Sequence, residues 1–281
     1  MNSNSENYLP FKISLAQWSL HRTILQGKLD NLNFAETAKI VYDIDSVEYV
    51  NRMFFDKEIS YFKEMKKRSD NSGISNLILM CDDEGKLGDP DETTRNQSVK
   101  NHFRWLEAAK ILGCHSIRVN AASEGGYEEQ MKFAADGLSK LCEQASEFNL
   151  NVLVENHGGL SSNGKWLSEV INLINHPLCG TLPDFGNFRL EPNKYYDRYK
   201  GIEEMMPFAK GVSAKSWNFD YSGNETEIDF YRMISITLKA GYNGYIGIEY
   251  EGNAVSEHDG IIATKKLLEK VRDKFSGLNT K

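Results

Sequence analysis

Eight short β-rich runs recur along this chain, and a helix-like stretch follows each of them. The runs are Lys12–Trp18, Ser46–Asn51, Asn76–Asp82, Ser116–Ala121, Asn151–His157, Gly180–Phe185, Gly211–Trp217 and Gly244–Glu251. Their starts lie roughly 30–40 residues apart, the length of one strand, one helix and two short loops. Eight such units predict an α/β fold of the (β/α)8 barrel type. The intervening stretches carry helical stripes. Met131, Ala134, Leu138, Leu141, Ala145 and Phe148 recur at spacings of three and four, as do Ile261, Thr264, Leu268, Val271 and Phe275. Gly73 and Gly113 stand where left-handed helix caps are expected, and Asp229 where a helix starts. An open doubly wound sheet usually carries a Gly-rich phosphate loop after its first strand. Here that segment reads SLHRTILQGKLD, without GxGxxG or GxxxxGK[ST]. No Pro/Ser-rich linker divides the chain. Residues 1–10 therefore read as a polar N-terminal extension and 11–281 as a single barrel domain.

Composition removes several classes. With 40% hydrophobic and 26% charged residues the chain is neither disordered nor a small disulfide scaffold. A net charge of −7 argues against a nucleic-acid partner, which asks for a basic stripe. The nearest basic group, Lys63, Lys66, Lys67 and Arg68, reads as a solvated helix face. No apolar run approaches the roughly 18–20 residues that cross a bilayer, so no membrane partner is expected. The first ten residues, MNSNSENYLP, lack the apolar core of a secretion leader, and a cytoplasmic location is expected. The four cysteines form no CxxC pair and read as buried free thiols of a reducing compartment.

In a barrel of this kind the active site lies at the C-terminal ends of the strands. Three carboxylates interrupt apolar strand text there: Glu155 in VLVENH, Asp184 in TLPDFG and Glu249 in IGIEYE. Unpaired buried charge is costly, and converging carboxylates raise one another's pKa values. A divalent cation with oxygen ligands resolves the conflict. Pairing with the barrel cations Arg118 and Lys215 is the plainer alternative. Alternation places His157 on the side of Glu155, Glu251 on the side of Glu249 and Ser213 on the side of Lys215. Of the other histidines, His102 and His176 read as surface residues, and His21 lies in the first loop of the same barrel face. Trp18 and Trp217 end strands one and seven, where they could stack on a sugar or pack in the rim.

Four segments, VENHGG at Val154–Gly159, LPDFGNF at Leu182–Phe188, GVSAKS at Gly211–Ser216 and GYIGIEYEG at Gly244–Gly252, resemble those of the xylose isomerase-like TIM barrels. These are also called sugar phosphate isomerases/epimerases, and the resemblance spans nearly the whole chain. It implies one divalent metal, Mn or Mg, held by Glu155, Asp184 and Glu249. Relatives supply a fourth ligand from strand seven in HVHVKD or HVQIAD, and that position falls on Ser213. Serine is a poor ligand. Water, His157 or Glu251 would fill the place, or Lys215 would supply the charge. The implied chemistry is proton abstraction beside the carbonyl of a ketose or keto-sugar, through an enediolate. Glu155 and Glu249 would move the proton. His157, Asn187, Lys215, Arg118, Asn120, Trp18 and Glu251 would contact the substrate. Many relatives are dimers or tetramers, so a homo-oligomer is expected by analogy.

Two alternatives share the fold. A lyase would begin with the same proton abstraction and then expel a β-substituent, as inosose dehydratase-like and 3-keto-glycoside-cleaving relatives do. A non-catalytic sugar-binding barrel would follow from loss of the metal, and Ser213 is the feature that favours it. A DNA-repair enzyme of the endonuclease IV type needs a histidine-rich site. The chain has six histidines, few of them at strand ends, and its charge is unsuited to DNA.

Overall fold

The computed structural model describes residues 9–276. Eight parallel strands form one sheet: β1 (Lys12–Ala16), β2 (Ser46–Val50), β3 (Ser75–Met80), β4 (Ser116–Asn120), β5 (Asn151–Glu155), β6 (Cys179–Leu182), β7 (Val212–Ser216) and β8 (Tyr245–Tyr250). Neighbours run β6-β5-β4-β3-β2-β1-β8-β7. Single parallel bridges, Thr181 to Ala209 and Asp184 to Ser213, join β6 to β7 and close the circle. The expected (β/α)8 barrel is therefore the fold. Each expected run overshoots its strand by a residue or more at one end or the other. β6 stops at Leu182 because Pro183 has no N–H to give the ladder. Trp18 lies in a 3-10 turn, Gln17–Leu20, rather than in β1. The proposed extension, apart from Leu9 and Pro10, lies outside the described residues.

The main core lies between sheet and helices, with Trp105 and Trp166 buried at 0% exposure. A second cluster, including Ala16, Val50, Ile78, Met80, Leu153 and Leu182, is separate from it and fills the barrel interior. The helical stripes point inward as expected. Ala134, Leu138, Leu141 and Ala145 are buried on helix Tyr127–Phe148, and Ile261, Thr264, Leu268 and Val271 on helix Glu257–Ser276. Gly73 and Gly113 adopt φ +68° and +78°. The Asp229 carboxylate accepts from the Arg232 amide and caps helix Phe230–Lys239. Arg68 pairs with Glu64 and Lys66 with Asp70 along one helix, and Lys63 and Lys67 beside them are exposed, as a solvated face requires. All four cysteines are free and buried. His102 is a correction: it is buried at 2% exposure at the junction of helices Glu92–Asn101 and Phe103–Leu112. Its Nδ1 lies 2.8 Å from the Ser98 carbonyl, and burial lowers its pKa to about 4. No helix among the described residues is long and apolar enough to cross a membrane. A small antiparallel hairpin, Arg189–Glu191 with Lys194–Tyr195, rises after β6.

Candidate active site

Strand alternation turns Glu155, Ser213, Lys215 and Glu249 toward the barrel interior at its C-terminal mouth, and the bridge to Ser213 brings Asp184 beside them. Carboxylate atoms of Glu155, Asp184 and Glu249 lie within 4.8 Å of one another, and all three residues are buried. Ser213 Oγ lies 2.6 Å from Glu249 Oε2 and 2.9 Å from Asp184 Oδ2. One hydroxyl proton cannot serve both carboxylates. Of the two carboxyls, Asp184 is the one whose hold on a proton is strengthened. Burial raises its pKa to about 7, with Glu155 and Glu249 adding to the rise and Lys215 opposing it. Asp184 Oδ1 accepts from the amides of Gly186 and Asn187, at 2.7 and 2.8 Å.

Two cations serve this cluster. Lys215 Nζ, on a residue only 1% exposed, lies 2.8 Å from Glu249 Oε1, 3.0 Å from Glu251 Oε1 and 3.7 Å from Asp184 Oδ2. Burial works against its charge, but Glu249, Asp184 and Glu251 outweigh it and hold the amine protonated. The Glu249 carboxyl is likewise opposed by burial, yet Lys215 and the Ser213 hydroxyl bring its pKa below the ordinary value. Arg118 Nη1 donates to Asp82 Oδ1 at 2.6 Å, and its Nε lies 2.8 Å from Glu155 Oε2. That second approach is an ion pair out of line for a hydrogen bond, so both atoms are buried without a hydrogen-bond partner. Burial pushes the Asp82 carboxyl up, but Arg118 and the Asn120 amide outweigh it and bring its pKa to about 2.

The residues fit a hard divalent cation. The donor set is three carboxylates and a hydroxyl, all oxygen, and Glu155 Oε2 is buried without a hydrogen bond. Such an ion would share Glu249 and Asp184 with Lys215. Neither His157 nor Glu251 belongs to the group within 4.8 Å.

A cavity of about 390 Å³ opens above the cluster. Trp18, Arg118, Asn120, His157, Glu249 and Glu251 line it, together with Val50, Arg52, Asp82 and Asp83. Lys215 and Asn187 do not. Lys215 is enclosed by its carboxylate partners, Asn187 Nδ2 donates to Glu155 Oε1 at 3.0 Å, and Glu155 and Asp184 are likewise outside the lining. Trp18 is packed on its ring rather than open. His21 stacks on it at 4.5 Å, and the Arg52 guanidinium lies 5.4 Å from its centroid.

Several strand-end residues were given no role by the sequence. Asn156, in the ENH segment, brackets the next loop: it accepts from the Asp184 amide at 2.7 Å and donates to the carbonyls of Asp184 and Asn187. Asn51 does the same for Asp82, through both its amide and its carbonyl. Both are polar residues near the ends of the expected strand runs, which is the signal that was available. Gly186 is obligatory, because a Cβ there would lie 2.3 Å from Trp217 Cη2 and 2.6 Å from Lys215 Cγ. Glu48 lies in the barrel interior against Gly247. Ser14 donates to its Oε1 at 2.6 Å, and its Oε2 has no partner.

The xylose isomerase-like TIM barrel family matches residues 35–271. This chain belongs to that family. An L-ribulose 3-epimerase structure superposes with a TM-score of 0.72 at 13% identity, covering 96% of this chain and 98% of that one. The 3-keto-D-glucoside 4-epimerase of E. coli superposes with a TM-score of 0.67 at 17% identity, covering 92% and 99%. At such identities the likeness is one of fold. In sequence, the C-glycoside deglycosidase alpha subunit of Arthrobacter globiformis is 38% identical over 66 residues. That match spans 22% of this chain and only 19% of the relative.

Proposed function

We propose that this barrel is a carbohydrate-modifying enzyme, an isomerase or epimerase that moves a proton beside the carbonyl of a ketose or keto-sugar. One observation carries the reading. Two buried glutamates, Glu155 on β5 and Glu249 on β8, converge with a third carboxylate, Asp184, and Glu249 lines the polar cavity at the barrel mouth. Sugar epimerases among the proteins of like fold support it.

The residues divide the work. Glu155 takes the proton from carbon. Its Oε2 carries no hydrogen bond, while Asn187 fixes its Oε1 and so its orientation. Glu249, 2.8 Å from the Lys215 ammonium and 2.6 Å from the Ser213 hydroxyl, faces the bound sugar from the other wall and passes a proton from that ammonium to the enediolate, after which solvent takes the proton from Glu155 and reloads Lys215. Asn120, Glu251 and His157 contact hydroxyls in the cavity, and Trp18 with Arg118 bounds it. A Mn or Mg ion held by Glu155, Asp184 and Glu249, with Ser213 or a water completing the set, would polarise the carbonyl and stabilise enediolate charge.

The local match to the deglycosidase subunit favours a second reading, elimination of a β-substituent after the same first step. Incubation of keto-sugars in deuterated water with Mn²⁺, followed by NMR, tests both. Deuterium appearing beside the carbonyl with an epimer or aldose as product supports the first reading. An unsaturated or cleaved product gives the second. No exchange with wild type, or equal exchange with Glu155→Gln, contradicts both.

A further inference from the structure

We infer that the substrate of this site is an uncharged polyhydroxylated sugar rather than a sugar phosphate. The inference rests on the carbohydrate reading above and concerns what the same cavity accepts. A phosphate is held by backbone amide clusters or helix N-termini and by free Lys or Arg side chains. At this barrel mouth the chain's own side chains already occupy amides of the loops after β1, β5, β6 and β7. Glu225, 6% exposed, accepts from the amides of Trp217, Asn218, Glu227 and Ile228 in the loop after β7. Glu257, also 6% exposed, accepts from the amides of Arg22 and Thr23 and from the Thr23 hydroxyl, after β1. Asp184 takes the amides of Gly186 and Asn187 after β6. The Ser161 and Ser162 hydroxyls take those of His157 and Gly158 after β5.

The cations are committed in the same way. Arg118 is buried between Asp82 and Glu155 and Lys215 among Glu249, Glu251 and Asp184, while the half-exposed Arg52 pairs more loosely with Asp83 at 3.0 Å. Beside the paired guanidiniums of Arg52 and Arg118 and the His157 imidazole, the cavity presents acceptors: the carboxylates of Asp82, Asp83, Glu249 and Glu251, and the amide of Asn120, whose buried Oδ1 has no partner. Acceptors are matched by donors. Sugar hydroxyls offer donors, whereas a phosphate dianion offers none and adds charge to an acidic lining.

Saturation-transfer NMR on the whole chain with Mn²⁺ absent, and calorimetry with Mg²⁺ present, read this directly. The probes are D-fructose, D-psicose and methyl 3-keto-glucoside, each beside its 6-phosphate, and inorganic phosphate alone. Expected is binding of at least one neutral sugar, with its 6-phosphate about tenfold weaker or more and inorganic phosphate without effect. Glu251→Gln weakens the neutral sugar about tenfold, the scale of one charge-assisted hydrogen bond. A 6-phosphate that binds more tightly than its neutral parent overturns the inference, and so does a panel in which no neutral sugar binds. Deuterium exchange on a phosphorylated sugar would leave the proton-transfer reading standing and remove this one. Neutral sugars that bind without exchange would do the reverse.

Discussion

The two glutamates of the site are each paired with a cation on the preceding strand, and the pairs are not alike. On β7 and β8, Lys215 and Glu249 lie in register, and both Glu249 oxygens are spent, one on Lys215 and one on Ser213. On β4 and β5, Arg118 divides itself between Asp82 and Glu155 and leaves Glu155 Oε2 without a hydrogen bond. One wall is a closed hydrogen-bonded network, and in the other Glu155 Oε2 is held by the Arg118 charge alone, without a hydrogen bond. A buried charge network is rigid only when every member is satisfied. The difference marks Glu155 as the side that receives a proton or ion, and Glu249 as the side that is held.

The largest effect should come from opening the closed wall. Lys215→Met leaves Glu249, Glu251 and Asp184 facing one another without an ammonium. We expect a loss of about 3–5 kcal/mol in denaturant unfolding. Mn²⁺ should restore part of it, since an ion between the carboxylates replaces the missing charge. Loss without any rescue would mean that the lysine, and no metal, is what the carboxylates are arranged around. Arg118→Met should cost less, about 2–3 kcal/mol, because Asp82 retains Asn120 and its side chain is 18% exposed.

Asp82→Asn separates the same wall by pH. The Asp82 pKa is depressed to about 2 in the fold, so its contribution is present above the ordinary carboxylate pKa and is lost as pH falls toward 2. Wild type should exceed the variant by about 2 kcal/mol at pH 7, with the gap closing toward pH 2. A constant gap between pH 7 and pH 3 would show that shape, not charge, is what Asp82 contributes.

The smallest effect is a gain. Burial raises the Glu48 carboxyl to a pKa of about 7. The folded state therefore binds a proton that the unfolded chain gives up near pH 4.5, and stability falls as pH rises between the two values. Glu48→Gln should raise the melting temperature at pH 8 and leave it nearly unchanged at pH 4.5. The gain is about 1 kcal/mol, because the new amide inherits the place of the unpartnered Oε2. Equal shifts at both pH values would remove the ionisation from the account.

The contrast between the walls also shows what a sequence of this kind displays. Glu155, Asp184 and Glu249 were legible because each interrupts apolar strand text, and strand parity turns them to one side. The barrel followed from the period of the alternation. The Arg118–Asp82 pairing was hidden, because it depends on the register of β3 against β4, where Met80 faces Arg118, and on a loop that Asn51 holds. Glu48 drew no role from the sequence. A register irregularity between Val47 and Glu48 breaks the simple alternation there, and its neighbours Ser14 and Gly247 come from β1 and β8. His102 was misplaced for a related reason. The helix before it has almost no apolar stripe, so its buried side cannot be read from spacing.

The central claim is that Glu155 removes the proton and Glu249 completes the turnover. The most direct measurement compares Glu155→Gln and Glu249→Gln on one keto-sugar in deuterated water, following deuterium uptake into substrate and formation of product separately. The account predicts that Glu155→Gln loses both uptake and product. Glu249→Gln should keep a measurable part of the uptake while losing product. Uptake that survives in Glu155→Gln and vanishes in Glu249→Gln would contradict it.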